Sequence, residues 1–225
     1  MADGTGIRGE PVVIDKLVEA CLETLHMVGL SGLWTVVFGV PLGVLLYATS
    51  ADGPARNATA HRVLGITVNL GRSAPFVILM VAIMPMTRLI AGTSIGSGAA
   101  VVPLAVAAVP FFARLVEAAL LDVDPGLLEA ADSMGATRSG TVWHVLLPEA
   151  LPGLLRGLTV TLVAITGYSA IAGAIGGGGL GDLAIRYGYQ RYETDYMVAT
   201  VVALVALVQV IQFCGDFTAR RLDHR

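Results

Sequence analysis

The sequence predicts an all-α membrane protein that crosses the bilayer five times. Three observations carry that expectation. Hydrophobic residues make up 55% of the 225-residue chain and charged residues only 14%, against about a quarter charged in a soluble domain. The mean hydropathy is +0.76. The apolar residues also fall into runs long enough to cross about 30 Å of hydrocarbon as helices, with polar stretches between them.

Residues 1–24 read as a polar segment followed by an interfacial helix. Ile14, Leu17, Val18, Cys21 and Leu25 recur at helical spacing, and Asp15, Lys16, Glu19 and Glu23 fall elsewhere. That pattern fits an amphipathic helix at the membrane surface or an ordinary surface helix. No basic segment leads into an apolar one here, so no signal peptide is expected.

The transmembrane region spans residues 25–215. Its first span, 25–48, has no formal charge with His26 neutral, and Gly39 and Gly43 form a small-xxx-small pair that allows close helix packing. Asp52-Gly53-Pro54 then marks a turn within 49–62. The second span, 63–84, carries Arg72. Eleven Leu, Ile, Phe and Val residues there favour insertion by about 3–7 kcal/mol, against about 3 kcal/mol for one central arginine. Arg72 marks either a functional site or a residue that snorkels or caps a helix broken around Gly71 and Pro75. Residues 85–98 read as a loop rich in Gly, Ser and Thr. In the third span, 99–121, Arg114 and Glu117 stand at i, i+3, as a solvated or interfacial ion pair. A polar stretch at 122–150 precedes the fourth span, 151–175. Glycines at 176–181 and a tyrosine-rich polar loop lead to the fifth span, 197–215, and a tail at 216–225.

Several chemistries find no support. A net charge of −3 gives no basic footprint for nucleic acid. Gly176–Gly181 satisfies G-x-G-x-x-G but follows no strand of a βαβ unit, so it reads as a tight turn in which glycine supplies positive φ. No G-x-x-x-x-G-K-[ST] is present, so the chain supplies no ATP cradle of its own. His26, His61, His144 and His224 lack metal-ligand spacing, and Cys21 and Cys214 read as free thiols. Ser31 and Ser169 lie at membrane depth without a histidine at the same depth, which disfavours a hydrolase. No catalytic or metal residues are expected.

Five spans put the termini on opposite sides. With the tail in the cytoplasm, that side holds Arg56, Arg62, Arg114, Arg138, Arg156, Arg220, Arg221 and Arg225, and the other holds Arg8, Lys16, Arg88, Arg186 and Arg191. The positive-inside rule therefore favours an external N-terminus and a cytoplasmic C-terminus.

The polar stretch at 122–150 has its own design. Asp124 is an N-cap with Pro125 at the first helical position. A helix over 125–134 places Leu127, Ala131 and Met134 in one stripe and Glu129 and Asp132 on another face. Gly135 stands where a left-handed cap belongs. Thr137 caps a second short helix with Val142, Val145 and Leu146 as its stripe, and Pro148 and Pro152 are expected to break the chain before it re-enters the membrane. Residues alone allow two readings: an amphipathic hairpin on lipid, or a socket for a soluble partner.

Glu129-Ala130-Ala131, three residues, Gly135, nine residues, then Val145-x-Leu147-Pro148 closely resembles the EAA motif of permease subunits of bacterial ABC importers. The family pattern has isoleucine where this chain has Val145. GRSAPF (71–76), MTRLIAGTSIG (86–96), PFFARLVEAALL (110–121), LLPEALPGLL (146–155) and GYSAIAGAIGGGGLGDLAIRYGY (167–189) look like the methionine-importer branch. This resemblance implies a homodimeric pore in the bacterial inner membrane, two separate ATPase subunits that bind ATP and Mg, and an external substrate-binding lipoprotein. It implies a coupling role for Glu129, Ala130, Ala131, Gly135, Ala136, Val145, Leu147 and Pro148. Candidate path residues are Arg72, Ser73 and Pro75 at the broken part of span two, and Tyr168, Ser169 and Ile171 in span four. Ile171 is placed to form a symmetric constriction. Alternatives are a permease of the same architecture for another amino acid or a quaternary amine, a stand-alone secondary transporter, and an intramembrane enzyme.

Overall fold

Hydrocarbon offers backbone amides no water, so apolar runs must satisfy their hydrogen bonds internally, as helices. The computed structural model describes residues 10–222, and among these every regular element is helical. The polar residues 1–9 and the last three residues of the tail lie outside the described residues.

Helix α1, Glu10–Thr49, merges the expected interfacial helix and first span into one element that Pro41 does not interrupt. Asn57 caps α2, Ala58–Ser73, by accepting a hydrogen bond from the Ala60 amide at 3.0 Å. The expected second span is not straight. The chain bends by 101° between α2 and α3, Phe76–Ala82. Pro75 removes an amide and pushes Ala74 into an extended conformation (φ −72°, ψ 126°), which ends α2.

Residues 85–98 are not all loop. Helix α4, Met84–Ala91, carries Pro85 in its first turn and closes on Gly92 at φ 73°. Helix α5 is Ser97–Leu121. Helix α6, Pro125–Ser133, and α7, Arg138–Thr141, lie in the polar stretch. A wide turn, Val142–Leu146, runs straight into α8, Leu147–Ala172. The prolines do not break the chain there, contrary to expectation. Pro148 and Pro152 both lie within the continuous helical stretch Val142–Gly177. The glycine and tyrosine stretches are also more ordered than loops: wide turns Gly173–Gly177 and Ala184–Tyr189 flank α9, Gly179–Leu183. Helix α10 is Thr194–Leu222. Among the described residues, four helical stretches are long and apolar enough to cross a membrane, and the bent α2–α3 pair is a fifth candidate.

The chain divides into two compact units, each assembled from separate stretches. The turn unit comprises the chain up to Ser31, Phe76–Leu104 and Ala164–Val210. The segment unit comprises Gly32–Pro75, Ala105–Val163 and the chain from Ile211 onward. In the segment unit, Tyr47, Phe112, Val116, Leu120, Leu146 and Leu154 form an apolar cluster. Small residues let α1 and α5 approach there: an ideal Cβ on Gly43 would lie 2.5 Å from Val116 Cβ and 2.6 Å from the Ala113 carbonyl oxygen. In the turn unit, Ala20, Leu180, Leu183 and Tyr196 form a smaller cluster.

Candidate functional site

The polar segment folds as its caps dictate. Asp124 accepts a hydrogen bond from the Gly126 amide at 2.8 Å, and Pro125 starts α6. Gly135 takes φ 76°, and its amide donates to the Asp132 carbonyl at 2.9 Å. The Thr137 hydroxyl accepts from the Gly140 amide at 3.2 Å. The result is helix, glycine corner, helix.

The expected apolar stripe is split by burial. Ala131 is 2% exposed and faces inward, whereas Leu127 is 40% and Met134 81% exposed. Glu129, Ala130, Gly135, Ala136 and Pro148 are exposed, and Val145 and Leu147 are half-buried. The segment thus presents a carboxylate, small residues and two uncovered apolar side chains. Exposed Trp143 belongs to the same region. Its position midway through a wide turn gave no periodic signal.

The path candidates fall into two groups. Arg72, Ser73 and Pro75 are exposed at the 101° bend. The Arg72 guanidinium lies 5.7 Å from the Phe111 ring centroid, and Ser73 Oγ donates to the Asn69 carbonyl at 2.8 Å. Both residues belong to the segment unit. Tyr168, Ser169 and Ile171 belong to the turn unit. Ile171 is exposed and Tyr168 half-buried, its ring stacked 4.8 Å from Phe76. Ser169 is buried, and its Oγ donates to the Thr166 carbonyl at 2.8 Å, so this hydroxyl is spent on its own helix.

Arg114 does more than pair with Glu117. Its Nη1 donates to Glu117 Oε2 at 2.6 Å, and Nη2 donates to the Gly65 carbonyl at 3.1 Å and Asn69 Oδ1 at 3.2 Å. Glu117 is 6% exposed and Arg114 half-buried, so of the two expected settings, solvated or interfacial, the pair is not the solvated one. The guanidinium fork ties α5 to α2 one turn before the bend. Gly65 and Asn69 carried no signal in the sequence, because their partner lies on another helix.

The turn unit holds a second polar cluster. Lys16 Nζ donates to the Tyr187 hydroxyl at 3.1 Å and lies 4.2 Å from that ring's centroid. This hydrogen bond holds the Tyr187 phenol below its ordinary range. Tyr187 stacks on Tyr196 with ring centroids 4.9 Å apart.

Long apolar helices and a broken span define a membrane-spanning protein that carries an exposed, capped corner. Residues 39–225 match the family described as binding-protein-dependent transport system inner membrane component, and the chain belongs to that family. It is 54% identical over 211 residues to the probable D-methionine transport system permease protein MetI of Vibrio cholerae, covering 94% of each chain. It is 43% identical over 214 residues to the methionine import system permease protein MetP of Bacillus subtilis, covering 95% of this chain and 96% of the relative. A chain of the MetNI methionine ABC transporter, solved in inward-facing conformations, superposes with a TM-score of 0.94 at 48% identity. That match covers 96% of this chain and 100% of the other.

Proposed function

We propose that this chain is the methionine permease subunit of an ATP-binding-cassette importer. The observation that carries the reading is the likeness, over more than nine-tenths of both chains, to permeases named for methionine transport in Vibrio cholerae and Bacillus subtilis. Two copies form the translocation pathway, two ATPase subunits carry ATP and Mg, and an external lipoprotein delivers the substrate. The N-terminus lies outside and the C-terminus in the cytoplasm, as the arginine distribution favours. The segment at 122–150 then meets the ATPases. Ala130 and Ala136 permit close approach, Glu129 offers a carboxylate to a basic partner, and Leu127 and Met134 supply apolar surface. Arg72, Ser73 and Pro75 with Tyr168, Ser169 and Ile171 border the path, Ile171 as a constriction.

The test is uptake of labelled D- and L-methionine in a strain lacking its own importer, with other amino acids as competitors. Uptake that methionine alone competes away is expected. Failure of this chain, produced with its ATPase and binding protein, to restore methionine uptake overturns the substrate. Glu129→Lys reverses the charge offered to the partner and is expected to lower both uptake and substrate-stimulated ATP turnover about tenfold or more. Unchanged values for both overturn the coupling assignment.

A further inference from the structure

The glycine run at 176–181 has no part in the assigned function, yet its backbone amides reach side chains of α1 within the turn unit. The Gly179 amide donates to Glu23 Oε2 at 2.5 Å, and the next amide, Leu180, donates to Thr24 Oγ1 at 2.9 Å. Both contacts link residues 156 positions apart. Thr24 is buried, and its hydroxyl also donates to the Ala20 carbonyl at 2.9 Å, so its single proton is committed and its lone pair faces the Leu180 amide. Adjacent residues of α1 thus form a fork that receives adjacent amides of the turn.

The glycines are shaped to that fork. Gly178 and Gly179 take φ 77° and 74°. An ideal Cβ on Gly178 would lie 2.6 Å from Glu23 Oε2, and one on Gly179 would lie 2.6 Å from Thr24 Oγ1. Only glycine combines that backbone with that approach. The turn continues directly from α8, whose last turns carry Tyr168, Ser169 and Ile171. Behind the fork, Ala20 packs with fully buried Leu180.

We infer that Glu23 and Thr24 are positioning residues: by holding the Gly179 and Leu180 amides they fix the glycine turn, and through it the end of α8 that borders the transport path. The inference about transport rests on the proposed function; the fork itself does not.

The experiment uses the reconstituted importer with its ATPase and binding protein. Amide hydrogen exchange at Gly179 and Leu180 reads the fork, and the ratio of methionine uptake to ATP turnover reads its consequence. Glu23→Leu removes one acceptor, whereas Glu23→Gln keeps an oxygen at the same reach. Thr24→Val and Thr24→Ser form the second pair and keep the test usable if Glu23→Leu fails to assemble. The Leu and Val variants are expected to accelerate exchange at the turn about tenfold or more and to lower the uptake-to-turnover ratio several-fold. Gln and Ser are expected to restore most of both. Unchanged exchange in the Leu and Val variants overturns the fork. Faster exchange with an unchanged ratio reduces it to a local structural contact. Gln as defective as Leu shows that charge, not acceptor position, matters, and also overturns the inference. Exchange is read without substrate, so a wrong substrate assignment leaves the fork measurable.

Discussion

The two units solve the problem of close helix contact in opposite ways. In the segment unit, α1 meets α5 through missing side chains: Gly39 and Gly43 admit Phe112 and Val116, and the cluster around them is apolar. In the turn unit, α1 meets a bend of backbone, and polar side chains satisfy the amides that the bend exposes. Apolar packing is non-directional, because dispersion contacts are many and individually weak. Directed hydrogen bonds fix one arrangement, because an unmet buried donor is expensive. The same helix therefore offers a smooth contact along one part and a specific one along another.

The sharpest way to break this contrast is to add a methyl where backbone meets backbone. An ideal Cβ on Gly181 would overlap the Ala170 carbonyl oxygen, which no rotamer change can move. Gly181→Ala is expected to destabilise by about 3 kcal/mol or more, the upper end of overpacking, read as a lower unfolding midpoint or loss of assembled protein in detergent. Gly29 is the control on α1. Nothing lies within 4 Å of its ideal Cβ, so Gly29→Ala should leave stability within about 0.5 kcal/mol or raise it.

The next largest effect belongs to the Arg114–Glu117 ion pair of the segment unit. Arg114→Leu strands Glu117 in a buried position. Removing one partner of a fully buried pair costs about 3–5 kcal/mol. With the Arg114 side chain 23% exposed, about 2 kcal/mol is expected after allowing for solvent screening. The double change Arg114→Leu with Glu117→Leu should recover much of it in a double-mutant cycle. A double variant no better than the single would show that the Gly65 and Asn69 contacts, rather than the ion pair, hold the helices together.

Gly43→Ala follows, at about 1–2 kcal/mol. Three atoms oppose the new methyl: Val116 Cβ, Val116 Cγ1 and the Ala113 carbonyl oxygen. Val116→Ala removes Cγ1 but leaves the Cβ and the carbonyl in place, so rescue should fail. A rescue by Val116→Ala would mean that α5 shifts freely along α1, and that the contact is softer than its geometry.

Legibility from the sequence followed the same division. The segment at 122–150 was readable because its signals are local: Asp124 before Pro125, Gly135 after one short helix, Thr137 before the next. Each satisfies groups within a few residues of itself, and the structure reproduces all of them. The small-xxx-small pair was readable too, since glycine spacing on a helix is a local pattern. The bend near Pro75 was half-readable: proline located it, but no sequence pattern gives its angle. Helix α4 was missed because the Gly, Ser and Thr residues after Gly92 coloured the reading of the residues before it. The polar fork at Glu23 and Thr24 was invisible. Glu23 falls among the residues off the apolar stripe, Thr24 carries no periodic signal, and the donors are backbone amides with no residue identity. Arg114 was seen as half of a pair, but its grip on Gly65 and Asn69 depends on a third-dimensional neighbour. Of the candidate path residues, Ser169 shows the limit of residue type as a guide: its hydroxyl was already engaged by the carbonyl of Thr166.

The smallest expected effect on stability tests the most exposed feature. Gly135 lies at φ 76°, and an ideal Cβ there meets nothing within 4 Å. Any substitution therefore costs backbone conformation alone, about 1 kcal/mol for alanine and less for asparagine, which visits the left-handed region more readily. A β-branched residue is a poor fit to that region. Gly135→Asn should keep both the fold and uptake. Gly135→Val should still fold, with its unfolding midpoint lowered by only a few degrees, about what 1–2 kcal/mol produces in a chain of this length, yet lose uptake because the corner between α6 and α7 opens. That pairing separates shape from stability. If uptake tracks the unfolding midpoint across Asn, Ala and Val, the corner matters only as part of the fold. If uptake collapses with Val while the midpoint barely moves, the angle of the corner is what the partner reads, and the left-handed glycine sets the presentation of Glu129.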